Sequence, residues 1–410
     1  MSEPYRLFAG IDWAKDEHTV CVLDSDRRQI ERGAFKHSGE GLRRLADLLV
    51  KLSDGHPECV AVSIETPRGA VVETLVERGF AVYSLNPKQM DRFRDRHSVA
   101  GAKDDQLDAL VLADALSTDR PLFRQVRLDD PLIIRIRELS RTEEAMQHDQ
   151  MRVANQLGDL LNRYYPQLLS LCPAADESWI WDLIEMAPLP AEATSLSKSK
   201  LEKLLRANRI RRLDADAVQH ALSVPALKLA PGAAEAASEH ALLLLPLLRL
   251  LLQQKKDLER RIAALLEEMS TEGQFSGHRD VVVLLSLPGV GRVISATMLA
   301  EASQLLAERD YHALRNYGGT APITRSSGKS KRVLMRRSCN ERLREVLYHW
   351  SRVSTQTDER SKAHYAELRA KGHRHGRALR GVADRLLAVL VAMLASGTTY
   401  DPARRVAASH

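Results

Sequence analysis

The chain has 410 residues, 44% hydrophobic and 28% charged, with 60 Lys or Arg against 54 Asp or Glu and a formal net charge of +6. This apolar content excludes an intrinsically disordered chain, and the length implies two or three domains. Cys21, Cys59, Cys172 and Cys339 form no CxxC pair, no apolar signal segment precedes the first strand, and the longest apolar stretch, Ala241 to Leu252, contains Pro246 and Arg249, so the sequence reads as a reduced cytoplasmic protein with no zinc site and no membrane span.

In chain order, residues 6–13, 17–24 and 28–36 read as a three-stranded meander, followed by a helix from about Glu40 to Leu52. Alternation follows: a strand over Cys59–Glu65, a helix over Ala70–Arg78, a strand over Ala81–Leu85 and a helix over Asp104–Leu116. This pattern predicts a mixed α/β sheet flanked by helices. From about Leu132 to Glu268 the pattern is helical, broken at Ala187–Pro190 and at Pro231-Gly232. Within it, Leu251, Leu258, Ile262, Leu265 and Met269 form a heptad-like stripe, which either builds a dimeric coiled coil or packs inside the monomer.

The C-terminal part opens with Leu287-Pro288-Gly289-Val290-Gly291-Arg292-Val293, a glycine turn before a helix. It looks like a helix-hairpin-helix turn in which Gly289 and Gly291 let backbone N–H groups approach a DNA phosphate, the alternative being a plain interhelical turn. A serine-rich basic loop comes next, Gly318 to Arg332. Its Gly328-Lys329-Ser330 fails as a nucleotide-binding loop, because Ile323 stands where a glycine is needed and no apolar strand lies immediately upstream. A serine set among Arg325, Lys329, Lys331 and Arg332 could instead attack a phosphate whose charge those cations neutralise. Residues 320–410 hold 19 Lys or Arg against 7 Asp or Glu, a formal +12, while the preceding 319 residues sum to −6. A basic module that grips phosphate backbone, joined to an acidic one that holds cations, explains this asymmetry.

Four acidic residues carry the chemistry. Asp12 ends the apolar run Leu7–Ile11 and Glu65 ends Val60–Ile64, so both sit at the ends of buried strands. Asp105 and Asp108 are three apart on a helix, where like charges on one face are unfavourable without a cation. Asp104 faces about 100° away and reads as a solvated neighbour. Any single carboxylate is ordinarily plain surface. Together the four suggest hard oxygen ligands for Mg2+, two ions activating a nucleophile and steadying a leaving oxygen on a phosphodiester.

The order Asp12, Ile64-Glu65-Thr66, Asn86-Pro87, Lys103-x-Asp105-x-x-Asp108-Ala109, Pro288-Gly289-Val290-Gly291 and Ser327-Gly328, with the closing His364-Tyr365-Ala366, Lys371-Gly372 and Arg385-Leu386-Leu387 to Tyr400-Asp401, resembles the IS110 family of insertion-sequence transposases over nearly the whole chain. The resemblance implies an N-terminal RuvC-like DEDD domain on the α/β ribonuclease H fold (1–125), a helical and coiled-coil linker (126–275), a mainly α C-terminal transposase domain with a catalytic serine (276–402), and a short tail (403–410). Carried over, Asp12, Glu65, Asp105 and Asp108 are the tetrad that binds Mg2+ or Mn2+, and Ser327 is the nucleophile. The partners implied are donor and target DNA, a guide RNA encoded by the element, and a homodimer that assembles into a tetramer for synapsis.

Two departures stand out. The doubled Ser326-Ser327 leaves the nucleophile open by one position, and Cys339-Asn340 replaces the Gly-Asn common in the family. The mechanism expected is attack by Ser327 to form a phosphoserine link, reversed during strand exchange, so that no ATP or ligase is needed. The alternatives are a metal-dependent junction nuclease that uses water, and a non-catalytic nucleic-acid-binding protein.

Overall fold

The computed structural model describes residues 5–67, 69–85, 87–94, 96, 104–126, 130–271, 276–327 and 330–402. The chain divides into two units, Met1–Asp129 and Asp130–His410.

The first unit runs β1 (Leu7–Asp12), β2 (Glu17–Asp24), β3 (Gln29–Lys36), α1 (Gly39–Leu52), β4 (Val60–Ile64), α2 (Ala70–Glu77), β5 (Ala81–Ser84), α3 (Pro87–Arg94), α4 (Asp105–Asp119) and β6 (Arg124–Gln125). Its sheet has the order β3-β2-β1-β4-β5-β6. The first three strands form the antiparallel meander, β4 and β5 run parallel to β1, and β6 closes the edge antiparallel to β5. β1 and β4 are buried almost throughout because helices cover both faces. Leu7, Ala9 and Ile11 pack with α1 and α2, whereas Phe8 and Ala61 pack with α3 and α4. The period-two alternation therefore puts Phe8, Gly10 and Asp12 on the α4 side of the sheet.

Gly10 sets how close α4 can come. A Cβ at this position would lie 2.0 Å from the Ala109 carbonyl oxygen and 2.6 Å from the Ala113 nitrogen. Helix backbone thus rests directly on strand backbone, two residues from Asp12 and one from Asp108. Asp104 is not part of the helix face expected for it. It is the N-cap, in extended conformation, and its carboxylate accepts from the Gln106 N–H at 3.2 Å, one of the donors that a helix start leaves unsatisfied.

Among its described residues the second unit is helical apart from one hairpin: α5 (Pro131–Tyr164), α6 (Gln167–Leu171), α7 (Ser178–Met186), α8 (Pro190–Ala193), α9 (Lys198–Ala207), α10 (Ala215–Leu222), α11 (Ala233–Thr271), α12 (Ser276–Ser286), α13 (Arg292–Ala307), α14 (Tyr311–Tyr317), β7 (Ile323–Ser327), β8 (Ser330–Leu334), α15 (Glu341–Thr357), α16 (Glu359–Ala370) and α17 (His375–Ser396). α5 and α11 pair antiparallel, with Arg135 near Glu268, and with Glu143 and Gln147 near Lys255. One end of this pair joins a core built with α12 to α17, and the other joins a separate core built with α6, α7, α9 and α10. The stripe Leu251, Leu258, Ile262, Leu265 and Met269 is buried at 0–8% exposure, with Leu251 in one core and Ile262, Leu265 and Met269 in the other, so of its two expected uses the structure shows the intramolecular one. The exposed apolar stripe on α11 is Leu243, Leu247 and Leu250, one and two helical turns apart.

Gly10→Ala is expected to cost upwards of about 3 kcal/mol by overpacking, because backbone rather than a flexible side chain blocks the new methyl. Urea unfolding of the variant, followed by far-UV circular dichroism, measures it; an unchanged midpoint would mean that α4 is free to slide.

Candidate active site and nucleic-acid interface

Three elements bring the acidic residues to one end of the first sheet. The parallel register pairs Ile11 with Ile64, so Asp12 and Glu65 leave adjacent strand ends side by side. α4 lies across β1 and begins at Asp105. Asp12 and Glu65 are half-buried, Asp105 is exposed and Asp108 is 3% exposed.

Asp108 has a protein partner that the sequence did not reveal. Arg94 of α3 donates from Nε to Oδ1 at 2.7 Å and from Nη2 to Oδ2 at 3.0 Å, a bidentate pair that supplies the counter-charge a buried carboxylate needs. No three of the tetrad's ligand atoms lie within 4.8 Å of one another; among the described residues only Cys172, Asp176 and Glu177 meet that spacing. Glu177 is already held by Arg212 at 2.7 Å and by the Trp179 indole N–H at 2.9 Å, so this trio is tied up internally. In the tetrad the donor chemistry suits a hard cation. Asp12 and Glu65 follow neighbouring strands and are half-buried, Asp105 is the exposed first residue of α4, and Asp108 shares its oxygens with a guanidinium.

The turn after Asp12 is braced from behind. The Ala14 N–H donates to His18 Nδ1 at 3.4 Å, and His18 Nε2 lies 2.9 Å from His37 Nδ1. His18 is fully buried. Burial, and then the neighbouring His37, hold its pKa below the usual histidine value. Trp13, in the same turn, is 42% exposed, whereas Trp179, Trp181 and Trp350 are at most 1% exposed.

In the second unit, the segment expected to be a serine-rich loop is a β-hairpin. β7 and β8 pair Ile323 with Leu334, Thr324 with Val333, Arg325 with Arg332, Ser326 with Lys331 and Ser327 with Ser330. The polar runs Thr324–Ser327 and Ser330–Arg332 lack the apolar alternation that marks a strand, so the pairing is masked in sequence by its polarity. Opposite residues of an antiparallel pair share a face, so Arg325, Ser327, Ser330 and Arg332 lie together and Ser326 lies on the other side with Thr324 and Val333. Arg325 and Arg332 are exposed, directly opposed, and without an acidic partner among the described residues. Gly328 and Lys329, like Asn86 and Lys103, lie outside the described residues.

The hairpin's base is anchored by a buried polar cluster. Asn340 caps α15, accepting from the Leu343 N–H at 2.8 Å and donating to Glu301 Oε2 at 2.9 Å and Tyr317 Oη at 3.1 Å. Glu301 also accepts from Arg141 at 3.1 Å and from Arg342 at 2.5 Å. Burial alone would raise the Glu301 pKa, but the hydrogen bonds from Arg141 and Asn340 outweigh it and hold the group below its usual value. Cys339 packs against Gly319, where a Cβ would come within 2.8 Å of Sγ. In the glycine turn before α13, Gly289 has φ +78 and is pressed against Ser354 of α15, while Gly291 is the exposed N-cap with open space around its Cα. Of the two glycines, only Gly291 is open to a phosphate.

A family model described as "Transposase" matches residues 9–166, and one described as "Transposase IS116/IS110/IS902 family" matches residues 281–366. The chain is 32% identical to a protein named as a transposase of the IS117 mini-circle of Streptomyces coelicolor, over 98% of this chain and 97% of that one. It is 28% identical to the 43.6 kDa protein of insertion element IS110 from the same organism, over 98% and 96%. It is 44% identical to y4uE of Sinorhizobium fredii, also named as a transposase, over 52% of this chain and 60% of that protein. Among the described residues, no helix is long and apolar enough to cross a membrane.

Two outcomes follow from the first unit. Arg94→Met should destabilise it by about 3 kcal/mol or more, because it strands a buried charge. The double variant Arg94→Met/Asp108→Asn should recover much of that loss in a double-mutant cycle of urea midpoints, and strict additivity would deny the pairing. His18 has a folded pKa below its unfolded value of about 6.5, so the unfolded chain binds more protons below that pH and stability is lost as pH falls through it. Melting temperatures from pH 8 to pH 5.5 should therefore decline less steeply in His18→Gln than in the wild type.

Proposed function

The chain belongs to the IS110 family of insertion-sequence transposases, and on that premise we propose that it cuts and rejoins DNA through a serine nucleophile working with a divalent-cation site at the end of an RNase H-like sheet. The observation that carries this reading is the hairpin register, which gives Ser327 and the opposed Arg325 and Arg332 one common face. Like charges placed directly opposite are unfavourable in a bare hairpin. A phosphate between them turns that repulsion into two charge-assisted contacts beside the Ser327 hydroxyl. Ser326 points to the opposite side, which favours Ser327 as the attacking group.

The sheet order and the mixed strand directions support an RNase H-like reading of the first unit. Asp12, Glu65 and Asp105 would hold Mg2+ or Mn2+, with Asp108 available on displacement of Arg94; two bound ions would supply Lewis acidity at a phosphate oxygen. Ser327 Oγ forms a bond to phosphorus while the bond from phosphorus to the leaving deoxyribose oxygen breaks, and the serine proton ends on that oxygen or in water. Attack by a deoxyribose hydroxyl of the new partner strand reverses the exchange and restores the serine. Arg325 and Arg332 bind the phosphate throughout, Lys329 and Lys331 add positive charge, and the backbone at Gly291 offers a further phosphate contact. Guidance by an element-encoded RNA is carried over from the family resemblance. Dimerisation, and a tetramer at synapsis, belong to the same reading, with the exposed Leu243, Leu247 and Leu250 as the apolar seam.

The decisive test is amplification of the excised-element junction in cells, together with capture of a protein–DNA adduct in vitro. Ser327→Ala should abolish both, Ser326→Ala should retain both, and Glu65→Ala should reduce excision by at least about a hundredfold. Cleavage that persists in Ser327→Ala without an adduct would instead assign the attack to water. Leu243→Glu/Leu247→Glu should lower the mass seen by light scattering.

A further inference from the structure

The lobe formed by α6, α7, α9 and α10 carries its charge in two blocks. Residues 167–197 contain five acidic residues and no Lys or Arg, whereas residues 198–212 contain seven Lys or Arg and a single Glu. Two of the seven are paired within the fold, Lys198 with Asp216 at 2.7 Å and Arg212 with Glu177 at 2.7 Å. Lys200, Lys203, Arg206, Arg209 and Arg211 are exposed and make no ion pair among the described residues. Acids were available on the same lobe to neutralise them, yet the fold leaves this group together.

The backbone beneath these cations is firmly held. Leu201, Leu204 and Leu205 anchor α9 in the lobe core. At its end Asn208 accepts from the Ser178 hydroxyl at 3.1 Å and donates to Asp182 at 2.9 Å. The Ile210 N–H then reaches back to the Leu205 carbonyl at 2.9 Å, closing the turn with Arg209 at φ +55, where glycine is usual. A rigid turn thus presents Arg209 and Arg211 beside the cations of α9. The groove of about 520 Å³ between α9 and α10 is lined by Asp214, Asp216 and Glu202 as well as by cations, which suits an extended polyanion lying across the rim better than a small anion enclosed within it.

We propose that this ridge is a second grip on nucleic-acid phosphate backbone, at the opposite end of the α5–α11 pair from the core that carries the hairpin. The proposal rests on the chain's being a transposase and not on the serine mechanism. From Ile136 in one core to Leu160 in the other, α5 advances about 36 Å at about 1.5 Å per residue. That is roughly one turn of a duplex. A nucleic acid held at both ends would therefore be contacted at phosphates about ten base pairs apart. DNA flanking the exchange point and a structured RNA offer the same backbone chemistry.

The test is Lys200→Glu/Lys203→Glu/Arg206→Glu/Arg211→Glu in the full-length protein, with Lys36→Glu/Arg43→Glu/Arg44→Glu/Lys51→Glu as a control of equal charge change. Circular dichroism and melting confirm that both fold. Binding of a 40-base-pair DNA duplex and of an RNA hairpin of similar length is followed by fluorescence anisotropy from 50 to 300 mM salt, with hydroxyl-radical footprints on each. The ridge variant should bind one of the two at least about tenfold more weakly at 0.1 M salt, with a log–log salt slope shallower by about 3 and a footprint shorter by about ten positions. Which ligand is lost identifies the source. Unchanged affinity, slope and footprint for both, or an equal loss in the control, would overturn the proposal. Because Glu65→Ala and Ser327→Ala should retain this binding and slope, failure of the ridge and failure of the catalytic reading are distinguishable.

Discussion

The approach of α4 to β1 at Gly10 is the contact on which the candidate catalytic end of the first unit depends. Two backbones meet there without an intervening side chain. That brings a helix carrying two of the four carboxylates within reach of the strand that carries the first. A bulkier residue at Gly10 would push the helix outward and separate Asp12 from Asp108, even with every carboxylate intact. Beside that contact, the register of β1 with β4 is a local matter of hydrogen bonding, whereas the position of α4 is a matter of tertiary packing that a single Cβ would disturb.

Both units bury charge where they support their candidate sites. In the first, Arg94 neutralises Asp108 in a buried carboxylate–guanidinium pair. In the second, Glu301 is shared by Arg141, Arg342 and Asn340, which join α5, α13 and α15 beneath the hairpin. Buried ion pairs add little net stability relative to an apolar core, but the loss of one partner is severe. Their value here is geometric, because each holds a carboxylate in one place and punishes any other arrangement of the helices around it.

Much of the first unit was legible in sequence because buried parallel strands announce themselves as continuous apolar runs, and Leu7–Ile11 and Val60–Ile64 are each followed at once by a candidate carboxylate, Asp12 and Glu65. Asp104 was legible as solvated but not as a cap, since capping turns on one backbone angle at a helix boundary. The Arg94–Asp108 pair was invisible, because its members lie on different helices joined by a segment with no periodic signal. The stripe from Leu251 to Met269 was found, but its partner could not be: a heptad pattern specifies an apolar seam, and whether α5 or another copy fills that seam is decided by the rest of the fold. The hairpin is hidden in sequence for a different reason. Its serines and cations stand in unbroken polar runs, Thr324–Ser327 and Ser330–Arg332, so the apolar alternation that usually marks a strand is missing.

Trp13 carries one more consequence, this one photophysical. The other three indoles are sealed in the cores of the second unit, so aqueous iodide or acrylamide can reach efficiently only the tryptophan next to Asp12. The native protein therefore contains its own optical label at the end of the sheet, and the quenchable fraction of its emission reports events there without any dye or engineered residue.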